Sequence, residues 1–166
     1  MTLPERAQLL TFTVARDEYA LDILRVREIA RPLPVRQIPG APSAQVGVVH
    51  LRKTEAIPIL DLRRRFDLNA RPEAETGRII VCVVEGRLVG LFVDEVLDVI
   101  QVDLESISGG EHVFRGASAD YFAGICHHNG RLLVLLNLKR LLSSEDRIAI
   151  DAVQKQARDF IVQETE

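Results

Sequence analysis

The chain has 166 residues, 47% hydrophobic and 27% charged, enough to build one core without disulfides or metal. A net charge of −3 excludes an overall positive field that would draw it to nucleic acid or anionic lipid. No apolar run reaches the roughly 18 residues that span a bilayer, and Met1–Gln8 is too polar for an export signal, so a soluble cytoplasmic protein is expected.

In chain order, Leu9–Val14 predicts a strand, Ala15–Glu18 a polar turn, and Tyr19–Ile23 a second strand with apolar residues at alternate positions. Val48-Val49 and Ile57–Leu60 predict a strand pair around the charged tip Arg52–Glu55, and Arg63-Arg64-Arg65 reads as its solvated exit. Asn69–Gly77 is a polar loop. Residues 79–84 (IIVCVV) and 88–93 (LVGLFV) predict strands joined at Glu85-Gly86-Arg87, with Asp94, Glu95 and Asp98 on the solvated side of a turn. Gly109-Gly110 reads as loop, and residues 132–138 predict a strand entered through His128-Asn129-Gly130-Arg131, where Asn-Gly is a strong hairpin signal. Ser143-Ser144-Glu145-Asp146 resembles a helix cap. Beyond it Ile150, Val153, Ala157 and Phe160 form an apolar stripe opposite Gln154, Lys155, Arg158 and Asp159, expected to dock on the domain.

The chain repeats itself. Tyr19, Leu21, Ile23, Val26 and Ile29 share their spacing with Val89, Leu91, Val93, Val96 and Val99, 70 positions on. In both copies a period of two gives way to a period of three, which predicts a strand running into a helical turn or a bulge. A second unit follows each copy, opening at Gly47 or Gly124 and ending at Asp61-Leu62-Arg63 or Asn137-Leu138-Lys139, with one extra residue in the first. Duplicated strand-turn-strand units predict two small barrels sharing a core.

Catalytic and metal chemistry find little support. Cys126 and His127 are adjacent on a predicted strand and point to opposite faces, and no CxxC, HxH or HExxH spacing joins His50, His112, His127 and His128. Cys82 and Cys126 lie in apolar runs and read as buried hydrophobes. There is no GxSxG elbow, P-loop or GxGxxG, and aromatics are too sparse at 5% to stack nucleobases. No catalytic residue, metal or cofactor is assigned, and a protein-binding module is the expectation.

The segments FTVARDEYALDILRVREI (12–29), IPGAPSAQVGVVHLR (38–52), IPILDLRRRF (57–66), GRLVGLFVDEVLDVI (86–100) and YFAGICHHNGRLLVLLNLKRLL (121–142) resemble the CheW chemotaxis coupling protein family. The resemblance covers residues 9–150, with residues 143–166 as a C-terminal helix and tail overlapping its end. It implies a mainly β fold of two intertwined five-stranded SH3-like barrels with a C-terminal helix. It also implies a non-enzymatic adaptor that couples chemoreceptor cytoplasmic tips to the regulatory domain of the histidine kinase CheA, in the cytoplasm beside membrane-bound receptor arrays, without nucleic acid and without entering the membrane.

Position by position, the resemblance implies that Ile23, Val26, Glu28, Gly47, Arg52, Ile79 and Ile80 face the receptor and the groove between the barrels. It implies that Val96 and Val99 face the kinase. The family motif Asn-Leu-Arg-Gly is His50-Leu51-Arg52-Lys53 here and the following turn is one residue longer, so the tip formed by His50, Lys53, Thr54 and Glu55 departs from the family pattern. Two functions stay open at this point: an array adaptor, or a divergent CheW-fold regulator that binds another protein through this reshaped hairpin.

Overall fold

A computed structural model describes residues 5–37, 39–40, 45–51, 55–66, 68, 77–109, 121–143, 146–152 and 155. Eleven strands form two sheets among these residues. In the first half the strands are β1 (Arg6–Val14), β2 (Asp17–Asp22), β3 (Val26–Ala30), β4 (Gln45–Leu51) and β5 (Glu55–Asp61), followed by the one-turn helix α1 (Leu62–Arg65). In the second half they are β6 (Arg78–Val84), β7 (Arg87–Val93), β8 (Glu95–Asp103), β9 (Ile107–Ser108), β10 (Phe122–His128) and β11 (Arg131–Leu136), followed by the one-turn helix α2 (Leu138–Leu141).

The sheet orders are β8-β1-β2-β11-β10-β9 and β3-β6-β7-β5-β4. They match element for element once the halves are exchanged, apart from the two-residue β9, which makes the first sheet six-stranded rather than five. The period change marks where the chain changes sheet. After β2, a 3-10 turn at Ile23–Arg25, capped by Asp22 Oδ1 accepting from the Leu24 N–H (3.0 Å), sends β3 to pair with β6. After β7, a bend at Asp94 sends β8 to pair with β1. Each half thus lends a strand to the other's sheet, which is the intertwining.

Both crossing strands carry a bulge just beyond their repeat valine. Val26 and Glu28 of β3 pair with consecutive residues Cys82 and Val81, whereas Val96 and Val99 of β8 pair with Phe12 and Leu10. At the second bulge the buried Thr11 hydroxyl donates to Asp98 Oδ1 (2.6 Å) and accepts from the Asp98 N–H (3.2 Å), so a side chain replaces the interrupted ladder.

Three apolar clusters result. One, with Leu9, Ile100, Cys126 and Leu133, lies inside the first sheet. Another, with Ile57, Ile59, Ile79 and Phe92, lies inside the second. The largest draws Leu10, Phe12, Tyr19 and Leu136 from one sheet and Leu60, Ile80, Cys82 and Leu91 from the other. Strands such as β6 are therefore buried on both faces, which is why IIVCVV is continuous rather than alternating. Tyr19 stacks among Phe12, Phe66 and Phe122 at 5.3–6.3 Å, joining β1, β2, β10 and the end of α1 within the shared core. Both cysteines are buried, as their apolar neighbours predict.

Among the described residues, three tight turns close hairpins with left-handed backbone at Ala15-Arg16, Glu85-Gly86 and Asn129-Gly130. Only the first lacks glycine, and Ala15 and Arg16 adopt φ of 51° and 79° under strain. The strand predicted over 132–138 stops at Leu136, because Asn137 Oδ1 accepts from the Arg140 N–H (3.3 Å) and starts α2. Asp61 does the same for α1 through the Arg63 N–H (3.0 Å), so the equivalent endings are equivalent caps.

A helical run over 146–152 follows, opened by reciprocal bonds between Ser143 and Asp146: the Ser143 N–H donates to Asp146 Oδ2 (2.8 Å) and the Asp146 N–H to Ser143 Oγ (3.1 Å). Ile150 enters the shared core, while Arg147 donates to Glu85 (2.9 Å) and Arg87 pairs with Asp151, docking the helix on the β6–β7 turn. Ser144, Glu145, Val153, Gln154, Ala157, Arg158, Asp159 and Phe160 lie outside the described residues, as do His112, Gly110 and residues 69–76 of the expected polar loop.

Two expectations about charge are corrected. Of Arg63-Arg64-Arg65 only Arg64 is a solvated residue: the Arg63 guanidinium forks onto Asp94, and Arg65 pairs with the fully buried Asp146 and lies 5.9 Å over the Tyr121 ring. Asp94 is likewise engaged, by Arg63, whereas Glu95 and Asp98 are exposed as expected, Asp98 while accepting from Thr11.

Burial pushes the Cys82 thiol from 9.0 up to about 12, and burial with Asp17 pushes the Tyr19 phenol from 10.0 up to about 12. Both acids ionise more readily in the unfolded chain. Their contribution to stability is complete below pH 9 and is lost as pH rises toward 12. Urea denaturation at about pH 8 and pH 11 should show this fall, and Cys82→Ala should remove its lower-pH part. A flat profile would contradict burial of these groups.

Candidate interaction surfaces

The two barrels leave a groove of about 210 Å³ where the ends of β2, β6 and β11 meet. Leu21, Val84 and Leu136 contribute apolar surface, while Arg25 and Lys139 with Asp22 and Glu85 bring charge of both signs to its lining. Beside it the 3-10 turn holds Leu24 86% exposed, and Val83, which lines the groove, is 38% exposed. A leucine so exposed has no packing reason to be there, so the rim offers an apolar anchor beside an apolar floor.

Ile23 and Val26 are half-buried and pack against the shared core from this turn and β3. Glu28, also half-buried, stands beside Arg27, whose guanidinium approaches Glu28 Oε1 at 3.4 Å and Glu55 Oε2 at 2.7 Å. Glu28 and Glu55 are thereby brought together through Arg27. His50 is exposed on β4, opposite Ala56. Arg52, Lys53 and Thr54 lie outside the described residues.

Three expected groove residues are not on the surface. Ile79 and Ile80 both have zero exposure, one inside the second barrel and the other in the shared core, so neither side chain can touch a partner in this conformation. Alternation along a strand exposes one face only when that face meets water, and here both are covered. Gly47 is buried too: at φ +149° a Cβ there would overlap the Arg36 carbonyl oxygen, and the Arg36–Val48 backbone pair needs that approach. Gly124 has the same relation to Ser108 in the other half.

Val96 and Val99 lie on β8, an edge strand of the other sheet. Val96 is half-buried against the shared core, and Val99 is 53% exposed. The repeat partner of Val99 is Ile29 on β3, also exposed, so the two crossing strands present matching apolar positions. The repeat alone would have pointed to Ile29. Leu24 is signalled only by falling out of step with Leu21, Ile23 and Val26, the residues that pack.

Among the described residues no three His, Cys, Asp or Glu side chains converge as a metal site, and no helix is long and apolar enough to cross a membrane.

Residues 8–146 match the model of the CheW-like domain. The chain is 34% identical over 148 residues to the chemotaxis protein CheW of Klebsiella aerogenes, covering 89% of each protein. It is 32% identical over 146 residues to that of Treponema pallidum, covering 86% of this chain and 85% of the relative. Among solved structures it is similar to the scaffolding protein TtCheW of Thermoanaerobacter tengcongensis, with a TM-score of 0.78 and 28% identity over 87% of this chain and 96% of that one. The chain therefore belongs to the CheW-like family of chemotaxis scaffold proteins.

Proposed function

We propose that this chain is a non-catalytic adaptor that couples chemoreceptor cytoplasmic tips to the regulatory domain of a CheA-type kinase, in the cytoplasm at receptor arrays. The observation that carries this reading is the family match over nearly the whole β fold. On this reading Leu24, Ile23, Val26, Glu28 and the Arg52 hairpin form the receptor side. Val99, with Val96 beneath it, forms the kinase side on the opposite sheet. Ile79, Ile80 and Gly47 serve the packing of the barrels rather than contact with a partner. The divergent-regulator reading rests only on the altered hairpin tip and is not favoured, since relatives similar to this chain along most of their length are chemotaxis proteins.

The test titrates the purified chain with a receptor-tip fragment and with a kinase regulatory domain. Binding to both is expected at tens of micromolar or tighter. Leu24→Ser should weaken the receptor fragment about tenfold and leave the kinase domain unaffected, and Val99→Asp should do the reverse, as expected for single apolar anchors. If neither fragment binds the unaltered chain, the coupling role fails for those partners. If both variants weaken both partners equally, the assignment of the two faces fails.

A further inference from the structure

Arg27 is the residue that the β3 bulge adds. Val26 pairs with Cys82 and Glu28 with Val81, which leaves Arg27 without a ladder partner and re-aims its side chain. Its Nη2 donates to both oxygens of Glu55, at 2.7 and 3.0 Å, while standing 3.4 Å from Glu28 Oε1. β3 and β5 are not neighbours, because β6 and β7 lie between them, so this contact crosses the open side of the second barrel. Glu55 is the first residue of β5 and pairs with Leu51, the last described residue of β4, so the arginine grips the hairpin where its stem ends.

The other half of the molecule shows that the fold does not require this grip. Leu97 occupies the repeat position of Arg27 and Arg131 that of Glu55. The first barrel closes there with no ion pair between them, and Arg131 turns instead to Glu18. The three side chains of the Arg27 cluster are each 28–29% exposed, so the charges are partly desolvated and Arg27 faces both carboxylates. That arrangement is stronger than an isolated surface pair.

We infer that Arg27 is a positioning residue, which clamps the start of β5 to β3 so that Glu28 and Glu55 meet a partner as one rigid surface. This rests on the coupling role proposed above for the partner's identity, but the clamp itself is a property of the free chain.

Amide hydrogen exchange of the free, full-length chain tests the clamp at residues 49–51 and 55–57. Arg27→Ala and Glu55→Gln should each speed exchange there by about tenfold, the loss of a charge-assisted bond, and the double variant should be no faster than either. The charge-reversed pair Arg27→Glu with Glu55→Arg should restore slow exchange, which a merely packing role would not. Exchange in Arg27→Ala within about twofold of the unaltered chain, or multiplying effects in the double variant, would overturn the clamp.

Titration with the receptor-tip fragment then tests its use. Arg27→Ala should bind about tenfold more weakly at unchanged melting temperature, with recovery in the charge-reversed pair. Faster exchange with undiminished binding would overturn the rigid-surface role. Failure of the unaltered chain to bind would count against the coupling role alone, leaving the exchange result to decide the clamp.

Discussion

Gly47→Ala is expected to cost about 3 kcal/mol of folding stability, the sum of overpacking and backbone strain. Two independent facts produce this. The backbone at Gly47 adopts φ +149°, a region that side chains rarely enter, and a Cβ there would also overlap the Arg36 carbonyl oxygen and the Val35 side chain. That carbonyl cannot retreat freely, because it accepts the Val48 N–H at 2.8 Å while the Arg36 N–H donates to Val48 at 2.8 Å. Gly124→Ala meets a similar obstacle, the Ser108 carbonyl oxygen at 2.7 Å, but its φ is not positive, so about 1–2 kcal/mol is expected there. Urea denaturation measures both. The sharper comparison is partner binding at low temperature, where folded Gly47→Ala should bind as the unaltered chain does. A variant as stable as the parent but unable to bind would instead make Gly47 a contact residue.

What could be read from the sequence was whatever a short window contains. Asn129-Gly130 and Glu85-Gly86 announced their turns because left-handed backbone favours those residues. The spacing shared by Tyr19–Ile29 and Val89–Val99 exposed the duplication, and its change of period located both sheet crossings. Ser143 and Asp146 announced their cap at a separation of three residues.

The failures all involve partners far away in the chain. Arg63 looked solvated because Asp94 lies 31 positions on, and Arg65 because Asp146 lies 81 positions on. Ile79 and Ile80 were placed at a groove by the family resemblance, and no local pattern could correct it, because none tells a strand with one wet face from a strand between two cores. The Arg27–Glu55 contact spans 28 positions and depends on a bulge, which leaves no mark in a pattern of apolar residues. Where this chain departs from the family pattern, at His50 and Lys53–Glu55, neither repeat nor periodicity supplies a template.

Asp94→Ala is expected to cost about 3–5 kcal/mol, because it removes one partner of a largely buried ion pair rather than the pair. Asp94 Oδ1 accepts from Arg63 Nε at 2.9 Å, and Oδ2 accepts from Arg63 Nη2 at 2.6 Å and from the Ala15 N–H at 2.7 Å. The Asp94 N–H in turn donates to the Thr13 carbonyl at 3.0 Å. One carboxylate therefore joins α1, the strained Ala15-Arg16 turn and the point where the chain passes from one sheet to the other. The Arg63 side chain is only 14% exposed, so alanine at 94 leaves a guanidinium that water cannot fully reach. Asp94→Asn keeps one acceptor for Ala15 or Arg63 and should cost about half as much. Adding Arg63→Met to Asp94→Ala should recover about 1–2 kcal/mol by removing the stranded charge. The hydrogen bond to Asp94 raises the Arg63 pKa, so the cation persists into strongly alkaline solution and the Asp94→Ala loss should be the same at neutral and mildly alkaline pH. Urea denaturation of the three variants decides it: a loss below about 1 kcal/mol for Asp94→Ala, or no recovery in the double variant, would make this a surface pair and leave the sheet crossing to backbone bonds alone.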